Sequence, residues 1–339
     1  MVIQISFLLF GLVMILAAAE FFTNGIEAFG RRFSFSQAVV GSIFAAVGTA
    51  LPETILPMVA IFLYGGRASK EIGVGAILGA PFMLSTLAFF LVGLTASVAA
   101  LNKKRPFELR VEIHSVRRDL SFFLVMYCLA ILLPLLLGSS VLVPLAVALV
   151  FGYVFYAWLT FRGESAEIEH SGDMYLWKAA TRVSRSHAAA SPPLSLILLQ
   201  IFTALGVMIK GAHTFVSSLE QVSVRFGMDP LLFALLLAPV ATELPEKFNS
   251  VTWTWKGRDT LAIGNITGAM VFQATFPVSV GLVFTGWRLT GMALFSAVIA
   301  IVSSVFLLGT VLVKKRISPL TMLFSGCLYL VYALVLILR

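Results

Sequence analysis

Two short segments place carboxylates inside long apolar stretches: Thr49-Ala50-Leu51-Pro52-Glu53 and Thr242-Glu243-Leu244-Pro245-Glu246, the pattern T-x-L-P-E twice. A carboxylate at bilayer depth costs at least about 2.5 to 3.5 kcal/mol on insertion scales, so an acidic residue in mid-span marks a functional site by default. Each glutamate follows a proline, which removes a backbone hydrogen bond and frees carbonyl oxygens one turn earlier. Thr49 and Glu53, like Thr242 and Glu246, are four apart and share a helical face. Carboxylate, hydroxyl and carbonyl oxygens are the hard ligands that a calcium ion takes at about 2.3 to 2.6 Å. Two carboxylates also balance a divalent charge; without the ion they repel, so at least one takes up a proton or monovalent cations instead. That competition is the physical basis of exchange. A single copy has a plain explanation in a Pro-kinked helix with a snorkelling glutamate; two copies in matching places do not.

A second pair of segments follows the first at a nearly equal offset: Gly75-Ala76-Ile77-Leu78-Gly79-Ala80 and Gly264-Asn265-Ile266-Thr267-Gly268-Ala269. With Gly73, these small residues let their helices approach the motif helices closely, though ordinary helix packing explains them equally well. Glu243 is an added carboxylate with Lys247 four residues on, which predicts an i,i+4 ion pair or a lysine standing in for a cation. Glu20 and Glu27, and Lys210, His213 and Glu220, carry weaker signals. Such residues are more often interfacial or paired across helices. His213 is a candidate proton relay, although a lone histidine is more often simply hydrogen-bonded.

These residues need a membrane scaffold to position them. The chain of 339 residues is 59% hydrophobic and 12% charged, with a mean hydropathy of +0.99, against about 25% charged residues in soluble domains. A soluble enzyme is excluded. At about 20 residues per span, apolar runs fall at 3–19, 38–64, 72–101, 119–138, 140–161, 194–219, 230–255, 260–287, 289–313 and 319–338, with a tight turn at Gly138-Ser139-Ser140. The first run lacks a preceding basic segment and is expected to remain as a membrane helix rather than a cleaved leader. The fold class is therefore an all-α membrane protein of ten transmembrane helices. Most lysines and arginines fall in alternate loops, for example Lys103 to Arg118 and Lys314 to Arg316, which places both termini outside and those loops in the cytoplasm of a cell-membrane protein. The net charge of +8 thus reports orientation, not nucleic acid. The basic loops can also meet anionic membrane lipids.

Because five is odd, a five-span unit repeated once enters the membrane from opposite sides, giving two inverted five-helix repeats, the common build of secondary transporters. The expected division is a first repeat over 1–162, a cytoplasmic linker over 163–193 with a short interfacial helix from Met174 to Ser186, and a second repeat over 194–339. Cys128 and Cys327 lie in apolar runs and read as packing residues. Only four histidines are present, three of them in loops. A membrane-embedded metallohydrolase is therefore not expected, and the chain reads as no enzyme, with no cofactor.

At the doubled motif the sequence resembles the sodium/calcium exchanger family, within the calcium:cation antiporters. That family carries a motif close to A-x-G-T-S-L-P-E in its second and seventh helices and G-N-x-x-G-S-N in its third and eighth. Here the first reads Ala46-Val47-Gly48-Thr49-Ala50-Leu51-Pro52-Glu53 and its partner Pro239-Val240-Ala241-Thr242-Glu243-Leu244-Pro245-Glu246. The resemblance implies an antiporter exchanging Ca2+ or a related divalent cation for Na+ by alternating access, with the first and sixth helices as a sliding gate. It assigns the ion to Glu53 and Glu246, with Thr49 and Thr242 beside them, and its remaining positions fall on Ala50, Glu243, Ala80, Ala269, Leu84 and Gln273. Glu243 and Gln273 retain oxygens; Leu84 cannot coordinate a cation. The divalent core survives and the flanking sodium sites are depleted, which leaves H+ coupling, or a channel-like or non-transporting role, as alternatives. The expected partners are inorganic cations and membrane lipids; neither the motifs nor the composition specifies an oligomeric state.

Overall fold

The computed structural model describes residues 2–33, 45–64, 66–163, 174–184, 192–289 and 291–338. These residues are helical throughout, with one isolated bridge between Leu109 and Ile317 and no strand. In order the helices are α1 (Val2–Arg32), α2 (Ala45–Leu63), α3 (Arg67–Met83), α4 (Phe89–Leu101), α5 (Ile113–Leu137), α6 (Leu142–Gly163), α7 (Tyr175–Ser184), α8 (Leu194–Phe226), α9 (Pro230–Thr242), α10 (Leu244–Trp255), α11 (Asp259–Gln273), α12 (Phe276–Phe284), α13 (Gly291–Lys314) and α14 (Pro319–Ile337). Seven stretches of the described residues are long and apolar enough to cross a membrane; the longest, Ile113–Thr160, holds both α5 and α6. The turn expected at Gly138-Ser139-Ser140 is there, as a 3-10 turn over Gly138–Val141 with Gly138 at φ 71°. Of the expected span 38–64, residues 38–44 lie outside the described part, as do 164–173 and 185–191 of the expected linker.

Helix α1 runs past the apolar stretch 3–19 to Arg32 because only one of its faces is lipid-like. Ile3, Phe7, Phe10 and Val13 are exposed, whereas Ile15, Ala18, Phe22, Asn24 and Ala28 are buried. The buried side packs along α8, where Gly11 and Gly211 face one another: a Cβ on either would lie about 3 Å from the other's carbonyl oxygen. Close approach of two backbones through small residues is the usual packing device where no hydrophobic drive separates helix from lipid.

The α1–α8 pair sits in one apolar cluster with α2, and α3 to α6 and α11 to α14 supply most of a second. The two groups meet through α9, which lies tightly on α3. A Cβ at Gly75 would run into the Leu231 carbonyl, and one at Gly79 into the Leu235 carbonyl and the Pro239 ring. Gly73 faces the Pro57 carbonyl and Ile61 of α2. The expected role of these three glycines in close approach therefore holds. Gly264 and Gly268 behave differently: no atom lies within 4 Å of a Cβ at Gly264, and at Gly268 only the Tyr156 hydroxyl does, at 3.8 Å.

The linker helix begins at Tyr175, one residue beyond the expected start at Met174. A fully buried Gln200 on α8 donates to Asn24 Oδ1 and to the Phe21 carbonyl of α1, and its own oxygen accepts from the Leu176 N–H. Asn24 Oδ1 accepts from the Tyr175 N–H. Two of the orphan amides at the start of α7 are thus satisfied by side chains of α1 and α8, and Glu20 accepts from the Tyr175 hydroxyl. The linker helix is thereby tied to the α1–α8 pair.

Candidate cation site

Three interruptions of regular helix surround a single cavity. The first is the break between α9 and α10 at Glu243, whose φ and ψ of −96° and 10° end one helix, while Pro245 opens the next. The second is a π-turn over Leu84–Ala88 between α3 and α4, and the third is the break at Ala274 and Thr275 between α11 and α12. Leu84 and Gln273 occupy corresponding places in the two glycine-bearing segments, so the second and third interruptions are counterparts. Breaks of this kind free backbone oxygens and are tolerated at membrane depth where they line a cavity. The first copy of T-x-L-P-E behaves differently, because Pro52 lies within a continuous α2.

The cavity measures about 330 Å3 and is lined by Glu53 of α2, Glu243 at the break, Glu246 of α10 and Gln273 of α11. All four side chains are buried. Both carboxylate oxygens of Glu53, Oε1 of Glu243, Oε2 of Glu246 and Oε1 of Gln273 have no hydrogen-bond partner among the described residues. Buried polar atoms are nearly always paired, so five orphaned oxygens around one cavity call for a ligand that accepts electron pairs. Glu246 also lies in the first turn of α10, where the helix dipole favours negative charge. Glu53 feels the charges of Glu246, Glu243 and Lys247.

The remaining expected site residues lie as follows. Glu243 Oε2 accepts from Lys247 Nζ at 3.0 Å, the predicted i,i+4 pair, and Nζ also donates to the Pro239 carbonyl at 3.3 Å. Thr242 is buried, but its hydroxyl donates to the Ala238 carbonyl at 3.2 Å and it is not part of the cavity wall. Thr49 belongs to α2, and its side chain lies outside the described residues. Ala50, Leu84 and Ala269 line the cavity without a side-chain oxygen, and no serine or threonine side chain is among the described lining residues. No three His, Cys, Asp or Glu residues among those described converge on a point that could hold a metal. A cation here would need amide, carbonyl or water oxygens beside the carboxylates.

Several lining residues were missed. Asn249 and Trp253 share the Glu246 face at i+3 and i+7, a spacing that was available to be read. Asn265 stands in the G-N-x-x-G segment, and its amide donates to the Glu246 carbonyl and to Ser250 Oγ, both at 3.1 Å, fixing α11 against α10. Tyr153 of α6 and Phe272 also line the cavity, and Tyr153 belongs to no motif. Behind the wall, Asp119 of α5 accepts from Arg118, Tyr156 of α6 and Thr267 of α11, the last at 2.7 Å. Arg105 clamps the α10–α11 turn by donating to both oxygens of Asp259 and to the Thr254 carbonyl. The weaker candidates are paired as expected: His213 with the Tyr64 hydroxyl, Glu220 with Ser69 and Glu20 with Tyr175.

Apolar helices of spanning length around a buried, acidic, helix-interrupted cavity define a multi-pass membrane transporter. A family model described as sodium/calcium exchanger protein matches residues 3–162 and 196–338, and the chain belongs to that family of membrane antiporters. It is 24% identical to CaxA of Alkalimonas amylolytica, a protein named as a candidate antiporter, over 98% of this chain and 100% of that one. It is also 24% identical to the inner membrane protein YrbG of Escherichia coli K12, over 86% of this chain and 83% of that one. Its fold is similar to that of the H+/Ca2+ exchanger CAX, with a TM-score of 0.73 and 19% identity over 98% of this chain and 82% of the other. It is similar too to the sodium-calcium exchanger NCX_Mj soaked with Na+ and Sr2+, with a TM-score of 0.57 and 18% identity over 97% of each.

Proposed function

We propose that this chain is an alternating-access antiporter that moves Ca2+ or a related divalent cation against monovalent cations, with Glu53 and Glu246 as the principal ligands and Glu243 and Gln273 beside them. The observation that carries this reading is the set of orphaned oxygens on Glu53, Glu243, Glu246 and Gln273 around one 330 Å3 cavity. Calcium accepts mixed sets of carboxylate, amide, carbonyl and water oxygens, which suits a site without a three-residue carboxylate cluster. The scaffold on this reading is ten spans in two inverted repeats, 1–162 and 194–339, joined by a cytoplasmic linker. The division of the family match into 3–162 and 196–338 supports it, as do the corresponding interruptions at Leu84 and Gln273. Splitting the Ile113–Thr160 stretch at its 3-10 turn, dividing no other stretch and counting α2 and the α9–α10 pair as spans gives the ten.

The loop charges orient both termini outside. Asn249 and Trp253 carry the cavity wall from Glu246 along α10 toward the Lys256–Arg258 turn, the side that this orientation puts in the cytoplasm. Exposure to the other side follows from sliding of α1 and α8, which meet the rest of the bundle at α2, α3 and α9 and carry α7 with them.

Sodium is the counter-ion that the family description suggests. Ala50, Ala269 and Leu84, which stand where the resemblance implies oxygen-bearing side chains, favour protons as a second reading. Calcium flux into proteoliposomes separates the two. Uptake that requires an outward sodium gradient supports sodium; uptake driven by a pH gradient and indifferent to sodium supports protons. Glu53→Gln and Glu246→Gln are each expected to abolish calcium flux, and retained flux in both refutes the site.

A further inference from the structure

The ammonium of Lys247 is buried within hydrogen-bond distance of a carboxylate that also lines the transport cavity. Lys247 also lines a separate cavity of about 260 Å3, where the other described lining residues, among them Met83, Leu87, Val240 and Phe248, are all apolar. The head turns instead to Glu243 Oε2 and the Pro239 carbonyl. The Pro239 carbonyl also accepts from the Glu243 N–H at 3.1 Å, so the ammonium takes its second lone pair, at the point where the break at Glu243 ends α9. A carboxylate oxygen and a backbone carbonyl are the ligand types a sodium ion or hydronium would use, and an ammonium held by them occupies the position such an ion would take. Glu243 keeps Oε1 unpartnered and facing the transported ion.

We infer that Lys247 is a tethered cation that permanently fills one monovalent position of the site and so sets how many counter-ions the antiporter exchanges. The inference rests on the cation site proposed above. Glu53, Glu243 and Glu246 line the cavity with three carboxylates, and Lys247 is the described cation bonded to one of them. Three negative charges less one leave two, the charge of a single divalent cation or of two monovalent ones. Exchange by this chain is then electroneutral. A transporter with the same three carboxylates and no lysine would carry one further monovalent cation per cycle and move net charge.

The test uses the full chain in proteoliposomes, with calcium as the transported ion, a sodium or pH gradient as the driving force and the membrane potential clamped by potassium and valinomycin. Wild-type initial rates are expected to be the same at positive and negative clamp. Lys247→Met is expected to make the rate depend on the clamp and to raise the monovalent count per calcium from two to three. Glu243→Gln/Lys247→Met removes the new position with the lysine and is expected to restore the wild-type count. Glu243→Gln alone leaves an uncompensated ammonium beside the ion and is expected to weaken calcium binding at least tenfold, measured by titration of the purified protein, while the double variant, whose amide still offers an oxygen at position 243, recovers most of that loss. If Lys247→Met does not fold, the comparison of Glu243→Gln with the double variant decides. A voltage-dependent wild type, an unchanged count in Lys247→Met, or no recovery in the double variant overturns the inference. Failure of the site itself is distinguishable, because it shows as calcium flux retained in both Glu53→Gln and Glu246→Gln.

Discussion

Gly79→Ala and Gly264→Ala are the same change in two matching glycine-bearing segments, yet they are expected to move stability in opposite directions. In a helix interior, alanine is better than glycine by about 1 kcal/mol. At Gly264 nothing lies within 4 Å of the added Cβ, so most of that gain should appear. At Gly79 the new Cβ would penetrate the Leu235 carbonyl oxygen and the Pro239 ring. Neither is the free end of a flexible side chain, and relief requires α9 to back away from α3. Overpacking of this kind costs roughly 1 to 3 kcal/mol at ordinary sites and more where the obstacle is backbone. With the backbone obstacle putting the cost at about 3 kcal/mol or above, subtracting the propensity gain leaves Gly79→Ala destabilised by about 2 kcal/mol or more, and Gly264→Ala stabilised by about 0.5 to 1 kcal/mol. Apparent thermal midpoints of the purified variants in one detergent, followed by size-exclusion of the heated protein, give the comparison directly. A Gly79→Ala midpoint at or above wild type refutes the α3–α9 packing; a Gly264→Ala midpoint well below wild type refutes the open cavity beside α11.

Asp119→Asn is expected to destabilise by roughly 2 to 4 kcal/mol, because it strips the charge from a buried acceptor shared by Arg118, Tyr156 and Thr267; Thr267→Val, which removes one bond to that carboxylate, should cost about 1 kcal/mol in the same melts. Gln200→Leu deletes three hydrogen bonds among α1, α7 and α8, at about 0.6 kcal/mol each in membrane proteins, so a loss of about 2 kcal/mol is expected. Hydrogen exchange should then rise at Leu176 and neighbouring amides; unchanged protection there means the linker helix is held by other contacts. Tyr64→Phe keeps the ring against His213 but removes the hydroxyl that donates to the His213 carbonyl at 2.6 Å and pairs with its Nδ1 at 3.0 Å. A loss of about 1 kcal/mol is expected; because the His213 carbonyl survives His213→Ala, the double variant is expected to be less stable than His213→Ala alone, and a double variant no worse than it refutes the bond to that carbonyl.

Local regularities were readable before any coordinates. The length of apolar runs, the turn at Gly138, the proline before each glutamate and the Glu243–Lys247 spacing are all properties of a few neighbouring residues. A helix carries such spacings into space almost unchanged, and Glu53, Glu243, Glu246 and Gln273 do line one cavity. The ends of α1 were less readable, because its continuation to Arg32 depends on burial against α8 rather than on hydrophobicity.

What spacing could not convey is which distant surfaces meet. The two T-x-L-P-E copies look equivalent, yet α2 continues through Pro52 while the other copy breaks at Glu243, and Thr242 turns its hydroxyl back on its own helix. Gly79 and Gly268 look equivalent, yet one is pressed against a backbone and the other opens onto the cavity. Tyr153 and Asp119 carry no motif at all and matter through helices that approach from elsewhere in the chain. The chemistry of the site was written in residue types and their periodicity. Its asymmetry came from packing: α9 lies tight against α3, and the cavity beside α11 stays open, so two matching segments meet different neighbours.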